Sequence, residues 1–399
     1  MIERKEYMER LIGFRDRNVI KIITGVRRSG KSTLLELFRE YLLRHGVDGD
    51  HIIFINFEDY ANRALKDSDA LHAHVLERAA KDGKTYVFLD EIQAVGDFQA
   101  VVDSLFLRKN LDLYLTGSNA HLLSGDLATM LSGRYVEIEM LPLSFAEFLT
   151  VNGGKGDLQA SYRLYLETSS FPGALDFEGN RARIIDYLRG IYDTVVLNDV
   201  VARRRITDVM MLESLISFAY DNVGSLLSTK RISDYMSSSS RRIDVKTVER
   251  YLGALVDSFI LYRAKRYDVR GKQYLKTLEK YYAVDIGLRQ VLLGSAGSDV
   301  GHILENVVYL ELLRRGYQVY VGKLGELEVD FVAKGATGIV YLQVAASVRD
   351  PKTLERELAP LKKIKDHYPK LLLTLDEDPN GDFDGIRRMN ALEWLAGSS

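Results

Sequence analysis

The 399-residue sequence predicts an α/β chain of several domains that opens with a nucleotide-binding parallel sheet. Three stretches carry that reading. Gly25-Val26-Arg27-Arg28-Ser29-Gly30-Lys31-Ser32 fits the phosphate-loop pattern GxxxxGK[ST]; it lies between the apolar run Val19-Ile20-Lys21-Ile22-Ile23-Thr24 and a helical stretch from Thr33. Thr85-Tyr86-Val87-Phe88-Leu89 has the unbroken apolarity of a strand buried on both faces, and it ends in Asp90-Glu91. Leu111-Asp112-Leu113-Tyr114-Leu115-Thr116 repeats the pattern and closes in Gly117-Ser118-Asn119.

The order of these parts suits polyphosphate chemistry. Glycines let backbone N–H groups curl around phosphates, so Gly25, Val26, Arg27, Arg28, Ser29, Gly30, Lys31, Ser32 and Thr33 are the expected nucleotide cradle. Lys31 is placed to reach the β and γ oxygens and Ser32 to ligate Mg²⁺, making ATP and Mg²⁺ the expected cofactors. Ligands of parallel sheets collect at the carboxyl ends of the strands. Asp90 is therefore expected beside the Mg²⁺ held by Ser32, and Glu91 at the water that attacks the γ-phosphate. The plainer alternative for this pair is the acidic first turn of a helix. The polar end at Ser118-Asn119 is expected next to the γ-phosphate and equally suits an N-cap.

Phosphate loop, Asp-Glu strand and polar-ended strand together resemble the AAA+ ATPases. Asn56-Phe57-Glu58-Asp59, Leu115-Thr116-Gly117-Ser118-Asn119, Leu131-Ser132-Gly133-Arg134 and Leu141-Pro142-Leu143-Ser144-Phe145-Ala146-Glu147-Phe148 look like one prokaryotic group of them, related to the origin-recognition and STAND-like clades. The resemblance runs nearly end to end. It implies a winged helix and a C-terminal domain resembling restriction endonucleases after the ATPase, and assembly into an oligomer. It also implies that Asn119, with Ser118 as the alternative, senses the γ-phosphate. Arg134 takes the part of a finger that contacts the γ-phosphate of a neighbouring subunit, supplying positive charge to the phosphoryl transition state. Its plain alternative is a surface residue ahead of the strand Tyr135-Val136-Glu137-Ile138-Glu139.

Length and composition narrow the setting. The chain is too long for one ordinary core. Its lack of cysteine excludes disulfides and thiolate metal sites. The charged start Met1-Ile2-Glu3-Arg4-Lys5-Glu6-Tyr7 lacks the apolar core of a signal peptide, and no run approaches the roughly 18 apolar residues of a membrane span. A cytoplasmic protein with no membrane partner is expected.

A net charge of −2 hides a local excess: residues 241–280 hold 11 Lys plus Arg against 5 Asp plus Glu, which directs attention to a patch. Helical patterns at 211–220, 229–235 and 245–252 precede an alternating strand at 259–267, a turn at Asp268-Val269-Arg270-Gly271-Lys272 and a return through Tyr274. Three helices and a hairpin predict a winged helix. Lys246 and Arg250 would face a major groove, Arg241 and Arg242 would lead in, and Arg270 and Lys272 would meet phosphates at the wing tip. A module that packs against protein partners is the alternative use of the same basic face.

After Gly294-Ser295-Ala296-Gly297-Ser298, a helix over 300–315 and strands at 317–321, 326–332 and 339–344 resemble the PD-(D/E)XK nuclease fold. Glu305, Asp330 and Gln343 occupy its metal-binding positions, and Glu328 shares a strand face with Asp330. The Glu-x-Lys pair has become Gln343-Val344-Ala345, which removes one charge and the lysine; Lys323, Lys334 and Arg356 are the candidates to stand in. A degenerate, non-cleaving domain is expected. The predicted organisation is an ATPase domain at 1–155, a helical lid at 156–205, a winged helix at 206–293 and the nuclease-like domain at 294–399. The predicted function is Mg²⁺-dependent ATP hydrolysis coupled to DNA binding or remodelling, as an oligomer. An ATP-dependent switch on protein partners and an ATP-regulated nuclease are the alternatives.

Overall fold

The computed structural model describes residues 2–118, 131, 133–153, 156–202, 204–239, 243–275, 278–294 and 299–397. Asn119, Arg241 and Arg242 lie outside the described residues. The chain divides into two units, residues 1–142 with 257–259, and residues 143–256 with 260–399.

The first unit runs α1 (Lys5–Phe14), β1 (Ile20–Thr24), α2 (Lys31–Arg44), β2 (Ile52–Asn56), α3 (Ser68–Arg78), β3 (Thr85–Asp90), α4 (Phe98–Phe106), β4 (Leu111–Thr116) and β5 (Tyr135–Glu139). The sheet order is β2-β3-β4-β1-β5, with every neighbouring pair parallel. β1, β3 and β4 are buried along their whole length, which is why their sequences read as apolar without alternation. One face packs against α3 and α4 through residues such as Leu71, Val75, Val101 and Leu105. The other meets Leu34, Leu35, Phe38 and Leu42 of α2 and Leu11 of α1. Lys21 and Asp112 interrupt the apolar strands as a buried ion pair linking β1 to β4. Burial pulls the Lys21 pKa down despite that partner.

The second unit begins with helices α5 (Phe145–Val151), α6 (Leu158–Thr168), α7 (Arg181–Asp193), α8 (Val209–Asp221), α9 (Thr229–Ser239) and α10 (Val245–Asp257). There follow β6 (Leu261–Ala264), β7 (Arg266–Asp268), β8 (Gln273–Tyr274), β9 (Lys280–Ala283), α11 (Ile286–Leu293) and α12 (Val300–Arg314). The rest is β10 (Gln318–Leu324), β11 (Leu327–Gly335), β12 (Gly338–Ala345), α13 (Pro351–Lys362), β13 (Lys370–Thr374), β14 (Gly381–Phe383), β15 (Ile386–Asn390) and α14 (Ala391–Leu395). An eight-stranded sheet has the order β14-β15-β13-β12-β11-β10-β7-β8, and β6 pairs with β9 in a separate two-stranded ribbon.

The single strand predicted over 259–267 therefore breaks at Lys265 into two strands that join different sheets. β6 is antiparallel to β9, whereas β7 runs parallel to β10 and carries the short β8 at the sheet edge. The inward face changes phase at the switch: Arg263 and Lys265 are exposed and Ala264 is buried, but Tyr267, an even number of residues from Lys265, is buried. The predicted turn is present, with the Asp268 carboxylate accepting the N–H groups of Arg270 and Gly271. Among the described residues no helix is long and apolar enough to cross a membrane.

Candidate functional site

The phosphate loop follows β1 and is shaped by backbone constraints. Gly25 sits at φ +138°, and a Cβ there would fall 2.2 Å from the Met140 carbonyl oxygen, so any side chain collides with backbone. Gly30, at φ +99°, is the left-handed N-cap of α2, and Arg28 also has positive φ. The loop is held from behind by Arg4, which is buried and donates to the Ser29 carbonyl at 3.0 Å and the Leu141 carbonyl at 2.7 Å. At the rim, Arg27 pairs with Glu58 at 3.0 Å. Lys31 folds its ammonium onto the Gly25 and Val26 carbonyls at 3.0 and 3.1 Å and lies 3.8 Å from the Glu91 carboxylate.

At the carboxyl end of β3, Asp90 is fully buried. It takes hydrogen bonds from the Thr116 hydroxyl and from Asn56 Nδ2 at 2.9 Å, and the Ser32 side chain lies near enough to act on its ionisation. Burial raises the Asp90 pKa, and the hydroxyls of Thr116 and Ser32 oppose the rise. Ser32 and Asp90 are thus direct neighbours. Glu91 adopts a left-handed backbone (φ +55°) at the turn out of the strand, and its N–H donates to Thr116 Oγ1 at 2.8 Å. Its carboxylate accepts from Gln93 and faces Lys31. One hydroxyl, that of Thr116, therefore fixes both acids. Thr116, Asn56, Gln93 and Arg4 were given no site role from sequence. A signal existed for two of them: Asn56 and Thr116 end strands of the sheet in a polar residue, as Asp90 does.

These parts fit a nucleotide with its metal. The loop leaves no space for side chains at Gly25, the first N–H groups of α2 have no carbonyl inside the helix, and the buried Ser29 hydroxyl has no partner among the described residues.

The AAA-domain family matches residues 17–149, the span that contains all of this geometry except Arg4. A second family, described as Domain of unknown function (DUF8612), matches residues 159–299. The chain is 41% identical over 399 residues to an uncharacterized protein of Haemophilus influenzae, covering 99% of this chain and 98% of that protein. It is 30% identical over 369 residues to an uncharacterized protein of Methanocaldococcus jannaschii, covering 88% and 79%. The chain belongs to the same family as these two proteins and carries an AAA domain. Its fold is similar to that of the Walker-type ATPase PABY2304 of Pyrococcus abyssi, with a TM-score of 0.51 at 16% identity, over 73% of this chain and 96% of that one.

Within the AAA domain, Arg134 precedes β5 at the amino end of the sheet. β5 pairs with β1 from Ile20 opposite Tyr135 to Thr24 opposite Glu139, so the strand's length, about 16 Å, separates Arg134 from its own phosphate loop. There the guanidinium pairs with Asp103 and covers the Phe106 ring at 5.8 Å. Ser118 is buried at the carboxyl end of β4, its hydroxyl without a partner among the described residues.

The second unit contains a cleft of about 1070 Å³. The four residues read as nuclease-like, Glu305, Glu328, Asp330 and Gln343, all line it. Two residues that sequence reasoning missed join them. The Lys280 ammonium, at the start of β9, lies 2.9 Å from Glu305, 2.7 Å from Glu328 and 3.9 Å from Asp330. Glu357 of α13 accepts from Gln343 Nε2 at 2.9 Å. Burial works to lower the Lys280 pKa, but the three carboxylates prevail and raise it. Asp330 is pushed up by burial and by Glu305. Of the three candidate stand-ins for the absent lysine, Arg356 lines the cleft paired with Glu357 at 2.8 Å, whereas Lys334 sits among tyrosine rings on β7, β8 and β10. Lys323 is on β10, in register with Glu328, and does not line the cleft. No group of three or more His, Asp or Glu among the described residues is arranged to hold a metal ion.

The described basic residues read as DNA contacts fall in two places. Lys246 and Arg250 are exposed one turn apart on α10, and Arg270 and Lys272 are exposed at the β7–β8 turn.

Proposed function

We propose that this chain hydrolyses ATP with Mg²⁺ and couples its nucleotide state to binding or remodelling DNA, working as an oligomer. The observation that carries the catalytic part is the Ser32–Asp90–Thr116–Glu91 cluster beside Lys31. Ser32 and Asp90 are the residues that would hold Mg²⁺, which when bound neutralises oxygens of the β- and γ-phosphates. Lys31 exchanges the Gly25 and Val26 carbonyls for phosphate oxygens. Glu91 accepts a proton from the attacking water, and Thr116 keeps Asp90 and Glu91 in their separate roles. Arg134, too far from its own loop, serves the site of a neighbouring subunit.

For the second unit, α8, α9 and α10 with the strands that follow act as a winged helix, presenting Lys246, Arg250, Arg270 and Lys272 to phosphates. Arg241 and Arg242 extend that series in sequence. The remainder is read as a nuclease-like domain that does not cleave: its carboxylates already have a cation in Lys280, and Gln343-Val344-Ala345 supplies no lysine of its own. The competing reading is an ATP-dependent switch acting on protein partners, for which the same exposed basic residues serve as a docking face.

The deciding experiment is ATP turnover by the full chain with and without single-stranded, duplex and branched DNA, with Lys31→Ala as the blank. Stimulation by one DNA form supports the proposal. Turnover indifferent to all three, with no detectable DNA binding, favours the protein-directed switch.

A further inference from the structure

The exposed end of the eight-stranded sheet carries an aromatic surface that the nucleotide site does not use. Tyr267 of β7, Tyr274 of β8 and Tyr320 of β10 form one cluster, with ring centroids 5.0 Å apart for Tyr274 and Tyr320, 5.6 Å for Tyr267 and Tyr274, and 6.1 Å for Tyr267 and Tyr320. Lys334 of β11 lies over the Tyr267 ring at 3.6 Å and donates to the Tyr274 hydroxyl at 3.4 Å. Tyr267 is buried, but Tyr274 is 56% exposed, so a flat ring is presented to solvent with a cation at its rim. The turn feeding β8 adds Arg270 and Lys272, both exposed. Residues 265–276 hold five Lys plus Arg and a single acid, Asp268, whose carboxylate is engaged with turn N–H groups.

Exposed aromatic rings cost hydration, and a large one set among cations suits a partner with flat faces and regular negative charge. β8 has only two residues, too short to template an added strand from a protein partner. A duplex hides the faces of its bases, whereas an unpaired strand offers each face for stacking and its phosphates to nearby cations. We propose that the Tyr274 face is a stacking platform for single-stranded nucleic acid, with Arg270, Lys272 and Lys334 taking the flanking phosphates. This deepens the DNA-coupled reading above and rests on it, but it assigns a second surface, separate from Lys246 and Arg250 on α10.

The test is fluorescence polarisation of the full chain with a labelled oligothymidylate, a labelled oligouridylate and a blunt duplex. Binding of either oligomer is expected to weaken roughly tenfold or more in Tyr274→Ala, the loss typical of one stacked base. Tyr274→Phe should stay near wild type, because the ring and not the hydroxyl stacks. Arg270→Glu with Lys272→Glu should weaken binding and flatten its salt dependence, and Lys246→Ala with Arg250→Ala should spare it. The preferred oligomer distinguishes DNA from RNA. Single-strand affinity unmoved by Tyr274→Ala, or no binding of either oligomer, overturns the platform. Duplex binding that depends on Lys246 and Arg250 would then leave the DNA-coupled function standing, and absence of all binding would remove both.

Discussion

The Lys280 ammonium lies 2.9 Å from the Glu305 carboxylate, with both side chains almost wholly buried. A buried ion pair is expensive to break from one side, because the partner is left charged and dry; removal of one member typically costs about 3–5 kcal/mol. Here the partner is three acids, since Glu328 and Asp330 share the same ammonium. Lys280→Met is therefore expected to lower stability by about that amount in urea denaturation at neutral pH. A variant as stable as wild type would show that Lys280 is not the counterion of the cleft.

The pH dependence of that loss has a definite sign. Lys280 is raised above its unfolded pKa of about 10.4, so its contribution in the wild type is complete below that value and is lost only as pH rises through the higher folded one. In Lys280→Met, Asp330, already raised by burial and by Glu305, loses the cation that opposed the rise and moves up further. Protonation then favours the folded state, so the deficit relative to wild type should shrink as pH falls from neutral toward about 5. Parallel stability profiles for the two proteins over that range would contradict this account.

Glu91 combines a left-handed backbone with a buried carboxylate held 3.8 Å from Lys31. Glu91→Gln preserves shape and removes the base. ATP affinity is expected to persist while kcat falls by a factor on the order of 10² or more. Unchanged turnover would exclude Glu91 from the mechanism.

Thr116 touches neither phosphate nor water in this reading, yet its hydroxyl joins the Glu91 N–H to the Asp90 carboxylate. It is a positioning residue. Thr116→Val should reduce kcat by about 10- to 100-fold and raise the Mg²⁺ concentration needed for half-maximal rate, as loss of an outer-shell partner does for metal sites. Thr116→Ser, which keeps the hydroxyl, should restore both. Failure of the serine variant to rescue would point to packing instead.

The legible and illegible parts of the fold divide on a physical line. β1, β3 and β4 are buried on both faces, so their unbroken apolarity marked them in sequence, and the AAA reading followed from the polar residues at their ends. What could not be read were relations between distant residues. Arg4 reaches the Ser29 carbonyl from 25 residues away, and Lys280 reaches Glu305 across the same separation and Glu328 from still farther. The missing lysine of Gln343-Val344-Ala345 was sought on nearby β10 and β11 and on α13, while the cation in the cleft comes from β9, earlier in the chain. Likewise, the break at Lys265 depends on which strands lie alongside, β9 for β6 and β10 for β7, and those partners are distant in sequence.

Arg134 offers the sharpest test of assembly. It stands at the end of the sheet opposite its own phosphate loop and pairs with Asp103 in a partly exposed contact. Such a pair is worth about 0–1 kcal/mol, so handing the guanidinium to a phosphate costs little. If it serves a neighbour, Arg134→Ala should bind ATP normally and lose turnover by a factor on the order of 10³. Glu91→Gln should be inactive for a different reason. Mixing the two inactive proteins then creates some sites with Glu91 from one subunit and Arg134 from the other, and hydrolysis should reappear in proportion to mixed assembly. No recovery in a mixture shown to co-assemble would mean that Arg134 does not act across a subunit boundary.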